Sequence, residues 1–328
     1  MARTITQKDE PMIYTRVFDS LSLSRLVLGT VQFGMPYGIA NTLGQPSYES
    51  VREILACAID GGVNCLDTAA GYAESEAVLG RALAELGATD KVVLVSKFRY
   101  CDQTFADQRE VEAFLEASVV NSLRVLRLDS LPVCLFHREE DYQYWEAATR
   151  LQERGLIRHL GVSVMTPDAA NAIIGAGKAE AMQIPLNLLD HRYTRQGVCA
   201  AARARGMALF ARSVYLQGLL LMPEEKIPPQ LATIIPLRRQ LTALADDAGM
   251  PLAELAMRYA ISLDTLTSVL VGVDSLEQLR VNLAQVEKGP LDATLIHAIE
   301  TLVPDLPDLI LKPNLWFPKS DAVSTQRR

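Results

Sequence analysis

The sequence predicts an α/β fold: a (β/α)8 TIM barrel in a single domain, with an N-terminal β-hairpin and extra helices before the eighth strand and near the C-terminus. Three observations carry this. Short apolar runs with strand-like spacing alternate with longer amphipathic stretches from residue 26 onward. Eight such units fit into about 270 residues, the usual size of this barrel. No Ser/Gly-rich linker or abrupt change of composition divides the 328 residues, so one domain over 1–328 is expected, its core at about 14–300. A doubly wound sheet alternates strands and helices too, and the count alone leaves it open.

The elements follow in order. Residues 14–25 carry β-like residues around Asp19 and Ser20 and read as a hairpin closing the bottom of the barrel. The barrel strands are expected at 26–30, 63–67, 92–96, 131–136, 157–161, 181–184, 207–210 and 268–271. Helices are expected at 48–59, 75–86, 110–126, 142–152, 167–174 and 276–286, with Ser47 and the Asp274-Ser275 pair as N-terminal caps. The stretch 215–263 contains Pro223, Pro228, Pro229 and Pro236 and reads as a loop followed by extra helices.

Composition excludes several functions. Acidic residues outnumber basic ones 39 to 32, giving a net charge of −7, which argues against a nucleic-acid partner. Five cysteines without a CxxC pair argue against a disulfide framework or zinc knuckle and point to a reducing, cytoplasmic setting. Four scattered histidines leave little for a metal site, and none is expected. Residues 1–12 are polar and lack the apolar stretch of a signal peptide. No apolar run approaches the ~20 residues of a membrane helix. The oligomeric state is left open and is compatible with a monomer.

Nucleotide motifs of the common kinds fail. Gly175-Ala-Gly177 lacks the third glycine of a dinucleotide fingerprint and follows a helix, no P-loop is complete, and no Gly-x-Ser-x-Gly elbow is present. A barrel instead gathers its chemistry at the carboxyl ends of its strands. The second strand ends in Asp67, with Tyr72 five residues on; the third ends in Ser96-Lys97 and the fourth in Phe136-His137. Such a set suits proton transfer. An ammonium lowers the pKa of a phenol, a carboxylate keeps the ammonium charged, and a histidine orients a carbonyl oxygen. The set holds no electron donor, so a redox role needs a bound cofactor. Taken singly, Asp67 and Lys97 read as a strand-end ion pair and Tyr72 as a packing residue; their joint placement favours a site.

The stretch from Gly61 through Cys65-Leu-Asp-Thr-Ala-Ala-Gly-Tyr72, continued by Glu76-Ala-Val-Leu-Gly-Arg-Ala-Leu83, resembles the signature of the aldo-keto reductases. Val95-Ser-Lys97 and Leu135-Phe-His137 resemble the lysine and histidine segments of that family, in the same order. The resemblance implies a barrel that binds NAD(P)(H) in extended form and interconverts a carbonyl and its alcohol. Tyr72 would be the general acid/base, Lys97 would lower its pKa, Asp67 would pair Lys97, and His137 would orient the substrate carbonyl. Cofactor contacts implied by the same likeness are Gly29, Thr30, Ser163, Gln183, Ser213, Leu216, Gln217 and Gly218. Arg212 stands where an aromatic residue often stacks on the nicotinamide, and Val164 replaces an asparagine. Gly272, Asp274, Gln278 and Asn282 fall in the region that binds adenosine and its 2′-phosphate. NADP(H) is the expected cofactor and NAD(H) the alternative, since the lysine and arginine of many NADPH users are Gly272 and Gln278 here.

For the substrate, a small carbonyl or alcohol, the sequence offers Phe33 after the first strand and Trp316 as a lid, or equally as an anchor of the tail. The polar run from Asp190 through Arg192 to Arg195, together with Arg212, points to a sugar or other polyhydroxylated compound. Two other classes remain open: a non-catalytic barrel that binds nucleotide as a subunit or sensor, and a metal-assisted hydrolase or isomerase.

Overall fold

The computed structural model describes residues 12–18 and 21–317. It opens with an antiparallel hairpin, β1 (Tyr14–Val17) and β2 (Leu21–Ser24), in which Tyr14 faces Ser24 and Val17 faces Leu21. Asp19 and Ser20, expected at its turn, lie outside the described residues. Eight parallel strands then close into a barrel: β3 (Leu26–Gly29), β4 (Cys65–Asp67), β5 (Val93–Lys97), β6 (Leu131–Phe136), β7 (Ile157–Ser163), β8 (Ala181–Pro185), β9 (Ala208–Arg212) and β10 (Ser268–Gly272). Neighbours in sequence are neighbours in the sheet, and β10 pairs with β3 to complete the ring. Closure removes both sheet edges and excludes the doubly wound alternative.

The helices of the first half are α1 (Val31–Gly34), α2 (Tyr48–Asp60), α3 (Ser75–Glu85), α4 (Gln108–Leu126), α5 (Trp145–Glu153), α6 (Pro167–Ala176), α7 (Arg192–Arg195) and α8 (Val198–Ala204). Those of the second are α9 (Ile235–Asp247), α10 (Leu252–Ser262), α11 (Leu276–Glu287), α12 (Ala293–Leu302) and α13 (Asp308–Leu311). The capping residues work as expected: the Ser47 hydroxyl accepts from the Ser50 amide, and that of Ser275 from Gln278. Three 3-10 turns, α9 and α10 fill the proline-bearing stretch before the last strand, and α12 and α13 supply the extra C-terminal helices.

Apolar residues form two layers. Between strands and helices lies the larger, including Leu28, Leu66, Leu94, Phe136, Leu160 and Leu209. Inside the barrel Val27, Cys65, Val95, Val133, Ala181, Ala208 and Phe210 meet Val17 and Leu23 of the hairpin, which plugs the amino-terminal end. Arg25 closes the same end, its buried guanidinium donating to the carbonyls of Ile261, Leu263 and Leu266; burial pushes its pKa down to about 10.

Of the boundaries that differ from expectation, three stand out. β4 begins at Cys65 because Asn64 is taken up by the hairpin, its Oδ1 accepting from the Ser24 amide and its Nδ2 donating to the Ser22 carbonyl. α5 begins at Trp145, after a 3-10 turn over Glu139–Tyr144. β9 runs on through Arg212, which puts that residue on the carboxyl-terminal rim instead of in the loop.

Candidate active site

Because all eight strands are parallel, their carboxyl ends share one rim. Asp67 is the last residue of β4, Lys97 the last of β5, and His137 follows β6 directly. The Lys97 Nζ donates to both carboxylate oxygens of Asp67 at 2.7 Å and to the Thr68 carbonyl at 2.9 Å, so its three protons are all placed. Both side chains are buried, at 0% and 3% exposure. The Gln183 Nε2 adds a 2.8 Å bond to Asp67 Oδ1 from across the barrel.

Tyr72 sits on the loop between β4 and α3. A buried hydroxyl knot holds that loop: the Thr30 Oγ1 donates to the Asp67 carbonyl, the Ser75 Oγ donates to the Thr30 carbonyl, and the Tyr72 carbonyl accepts from the Ser75 amide. Glu76 fixes α3 beneath it, accepting from Ser96 at 2.6 Å and Ser122 at 2.9 Å. Gly34 allows the loop its close approach, since a Cβ there would lie 2.1 Å from the Tyr72 carbonyl oxygen. The Lys97 Nζ is then 5.0 Å from the Tyr72 ring centre, and the His137 ring meets Tyr72 edge-on at 5.3 Å. The four expected residues therefore converge.

Charge in this mouth is closely controlled. Burial, then Lys97, Arg212 and Arg138, push His137 down to about 2, so the imidazole is neutral. Burial lowers the Lys97 pKa, opposed by Asp67. The Tyr72 phenol moves well above its ordinary value, through burial first and the charge of Asp67 second.

Sequence reasoning missed Tyr100. Its ring stacks on His137 at 4.3 Å, its hydroxyl lies 3.1 Å from His137 Nε2, and Arg138 covers it at 5.0 Å. Its position three residues beyond the strand-end lysine was the available signal. The Tyr37 hydroxyl accepts from the Gln217 Nε2 at 3.0 Å.

The cofactor candidates divide. Gly29 and Gly272 pair in register at the ends of β3 and β10, and Ser163 pairs with Gln183 at the ends of β7 and β8. Among the described residues the Ser163 hydroxyl and the Gln183 amide oxygen have no hydrogen-bond partner, a donor and acceptor side by side that suit a primary carboxamide such as that of a nicotinamide. Ser213, Leu216, Gln217 and Gly218 all have positive φ, concentrating left-handed backbone in the loop after β9. Leu216 is 1% exposed, its side chain part of the core. Thr30 is fully buried and committed to the knot, which corrects its assignment as a cofactor contact. Asp274 accepts from the Asn41 Nδ2 at 3.0 Å, Gln278 caps the Asp274 amide, and Asn282 accepts from the Tyr215 hydroxyl at 2.8 Å.

The substrate candidates are corrected. Phe33 is fully buried in the core because α1 turns it inward, and Trp316 is 2% exposed, with its carbonyl accepting from Gln230. Trp316 thus anchors the tail. The polar run is also spent: Arg192 grips Asp190 and Asp308, and Arg195 grips Asp305 and the Val303 carbonyl, strapping the C-terminal segment to the barrel. Among the described residues no group of His, Cys, Asp or Glu has the arrangement of a metal site, and no helix is long and apolar enough to cross a membrane.

Comparison with known proteins gives the family. Residues 25–304 match the model of the Aldo/keto reductase family. Aldo-keto reductase YhdN of Bacillus subtilis is 26% identical over 224 residues, 64% of each chain, so the match spans just under two thirds of that relative. L-glyceraldehyde 3-phosphate reductase of Escherichia coli is 25% identical over 311 residues, 83% of this chain and 88% of the relative. In fold, the holo form of aldo-keto reductase AKR11C1 from Bacillus halodurans superposes with a TM-score of 0.75 at 23% identity, covering 93% of this chain and 99% of that one. The chain belongs to the aldo/keto reductase family of NAD(P)(H)-dependent oxidoreductases.

Proposed function

We propose that the protein interconverts an aldehyde or ketone and its alcohol, with Tyr72 as general acid/base. The observation that carries this is the convergence of Tyr72, His137 and the buried Lys97–Asp67 pair on one rim. A reduced nicotinamide, when bound, supplies the hydride; Ser163 and Gln183 are the residues suited to hold its carboxamide. The neutral His137 donates a hydrogen bond to the carbonyl oxygen and fixes its position. Tyr72, held protonated by burial, delivers its proton to that oxygen as negative charge builds there. Lys97 stabilises the phenolate left behind, and Asp67 keeps Lys97 charged and aimed. Solvent then returns the proton to Tyr72. Oxidation runs the same steps in reverse.

The substrate is proposed to be sugar-like or otherwise polyhydroxylated. Tyr37, Tyr100, Gln217 and Arg212 surround the mouth with hydroxyl, amide and guanidinium groups that pair with substrate hydroxyls. The preferred cofactor is proposed to be NADP(H): the carboxylate of Asp274, which would repel a 2′-phosphate, is turned onto Asn41, and burial raises its pKa. NAD(H) is the second reading, favoured by the lack of a basic residue at Gly272 and Gln278. The decisive experiment is Tyr72→Phe. Turnover should fall by roughly 10²-fold or more, while fluorescence titration with NADPH and NADH shows binding within twofold of wild type. Wild-type turnover in the variant refutes the mechanism, and tighter binding of NADH than NADPH selects the second cofactor reading.

A further inference from the structure

Arg212 is the uncompensated charge of the mouth. Its guanidinium reaches from the end of β9 past β8 to the segment after β7, donating to the Val164 carbonyl at 3.0 Å, the Met165 sulfur at 2.8 Å and the Ser213 hydroxyl at 3.4 Å. All three partners are neutral, and among the described residues Arg212 forms no ion pair. Lys97 is balanced by Asp67 and Arg138 by Asp102 and Asp141, while the Glu139 carboxylate accepts from the Met165 and Thr166 amides and the Thr166 hydroxyl and forms no ion pair with Arg212. His137 and Tyr72 are neutral. A half-buried cation held only by neutral partners carries an uncompensated desolvation cost.

The position of Arg212 gives that charge a use. The tetrad occupies the ends of β4 to β6, and Arg212 spans β7 to β9 on the other half of the rim. A hydride donor must come within ~3.5 Å of a carbonyl carbon held by Tyr72 and His137, so a nicotinamide ring has to lie between the two halves. The ring carries a positive charge when oxidised and none when reduced. We propose that Arg212 makes the site discriminate against the oxidised, cationic nicotinamide in favour of the neutral reduced ring. The inference rests on the reading of this mouth as the nicotinamide site. Coulomb's law for two unit charges ~5 Å apart at an effective dielectric of ~20 gives a bias on the order of a hundredfold, which partial exposure reduces to about tenfold. Its consequence is rapid release of the oxidised dinucleotide after each reduction.

The test compares dissociation constants of the reduced and oxidised forms of one dinucleotide, so that contributions from adenosine and phosphates cancel in the ratio. NADPH is titrated by its fluorescence and NADP+ by displacement of bound NADPH; NADH and NAD+ are treated alike. The wild type should prefer the reduced form by tenfold or more beyond Arg212→Gln and Arg212→Tyr, whereas Arg212→Lys, which keeps the charge, should keep the preference. Thermal melts confirm that each variant is folded, and two neutral replacements guard against the failure of one. An unchanged ratio in both neutral variants overturns the inference even if both affinities fall together, because that pattern marks a packing role. Failure of the wild type to bind any of the four dinucleotides removes the underlying reading, and the inference with it.

Discussion

Replacing Asp67 with Asn probes the energetic centre of the site. The wild-type carboxylate takes two 2.7 Å bonds from Lys97 and a third at 2.8 Å from Gln183, in surroundings where the lysine side chain is 0% exposed. An asparagine keeps one acceptor and turns an amide N–H toward an ammonium that has no other anion. Removing one partner of a buried pair costs about 3–5 kcal/mol, chiefly because the surviving charge is left uncompensated. At about 2.1 cal/mol/K per residue, the unfolding entropy of 328 residues is about 0.7 kcal/mol/K, so Tm should fall by about 4–7 °C at pH 7. The deficit should shrink as pH rises. Burial already lowers the Lys97 pKa, and without Asp67 it falls further, so the folded state gains relative to the unfolded one as the lysine loses its proton. Asp67→Leu combined with Lys97→Met should recover most of the lost stability without recovering turnover. Differential scanning calorimetry of the two variants at pH 7 and pH 9 gives the answer. A single variant melting within 1 °C of wild type, or a double variant no better than the single, refutes the account of Lys97 as a charge that depends on Asp67.

Two further outcomes follow from groups near the rim. His191 is buried with both ring nitrogens unpartnered among the described residues, and burial pushes its pKa down to about 4. The unfolded chain therefore binds a proton below about pH 6.5 that the folded chain resists, and stability is lost as pH falls through that window. Between pH 7 and 4.5 the wild type should lose about 2.5 kcal/mol, or roughly 3–4 °C in Tm, more than His191→Phe, and equal losses would show that this histidine is not the acid-sensitive group. Gly34→Ala places a Cβ 2.1 Å from the Tyr72 carbonyl oxygen and 2.5 Å from the Ser75 amide nitrogen, so the loop carrying Tyr72 has to shift. A loss of about 1–3 kcal/mol in stability and at least a tenfold drop in kcat are expected; a variant with wild-type kcat would show that the loop tolerates displacement.

The barrel was legible because its signals are local and repeated. Each strand is an apolar run bounded by polar strand ends, and several helices start at a residue that caps itself, as at Ser47 and Ser275. Asp67, Lys97 and His137 were legible for a related reason: adjacency of parallel strands brings successive strand ends together without any knowledge of the loops. What failed depended on loop paths. Phe33 looked exposed at a strand end, but α1 turns it into the core, and the polar run at Asp190–Arg195 looked available until the C-terminal segment folded onto it. Tyr100 escaped because a tyrosine in a loop has no periodicity, and its ring packs close to Gly71, where a Cβ would lie 3.1 Å away. The sign of the Tyr72 shift was out of reach for another reason. Burial outweighs a nearby charge only when the extent of burial is known.

That sign bears on the direction in which the proposed chemistry runs most easily. A phenol held above its ordinary pKa is a poor source of phenolate, the base that alcohol oxidation requires. It remains an adequate acid for reduction, because the alkoxide formed at the carbonyl is a far stronger base than any phenolate. Arg212 acts in the same sense by a different route. Its charge opposes the cationic ring that oxidation must bind at the outset and that reduction has to expel at the end. Asp67 joins the two effects. Its own charge adds to the rise in the Tyr72 pKa, and by balancing Lys97 it leaves Arg212 as a cation facing the ring. In the proposed mechanism two features widely separated in sequence, an aspartate at the end of the second barrel strand and an arginine at the end of the seventh, would both act in favour of reduction.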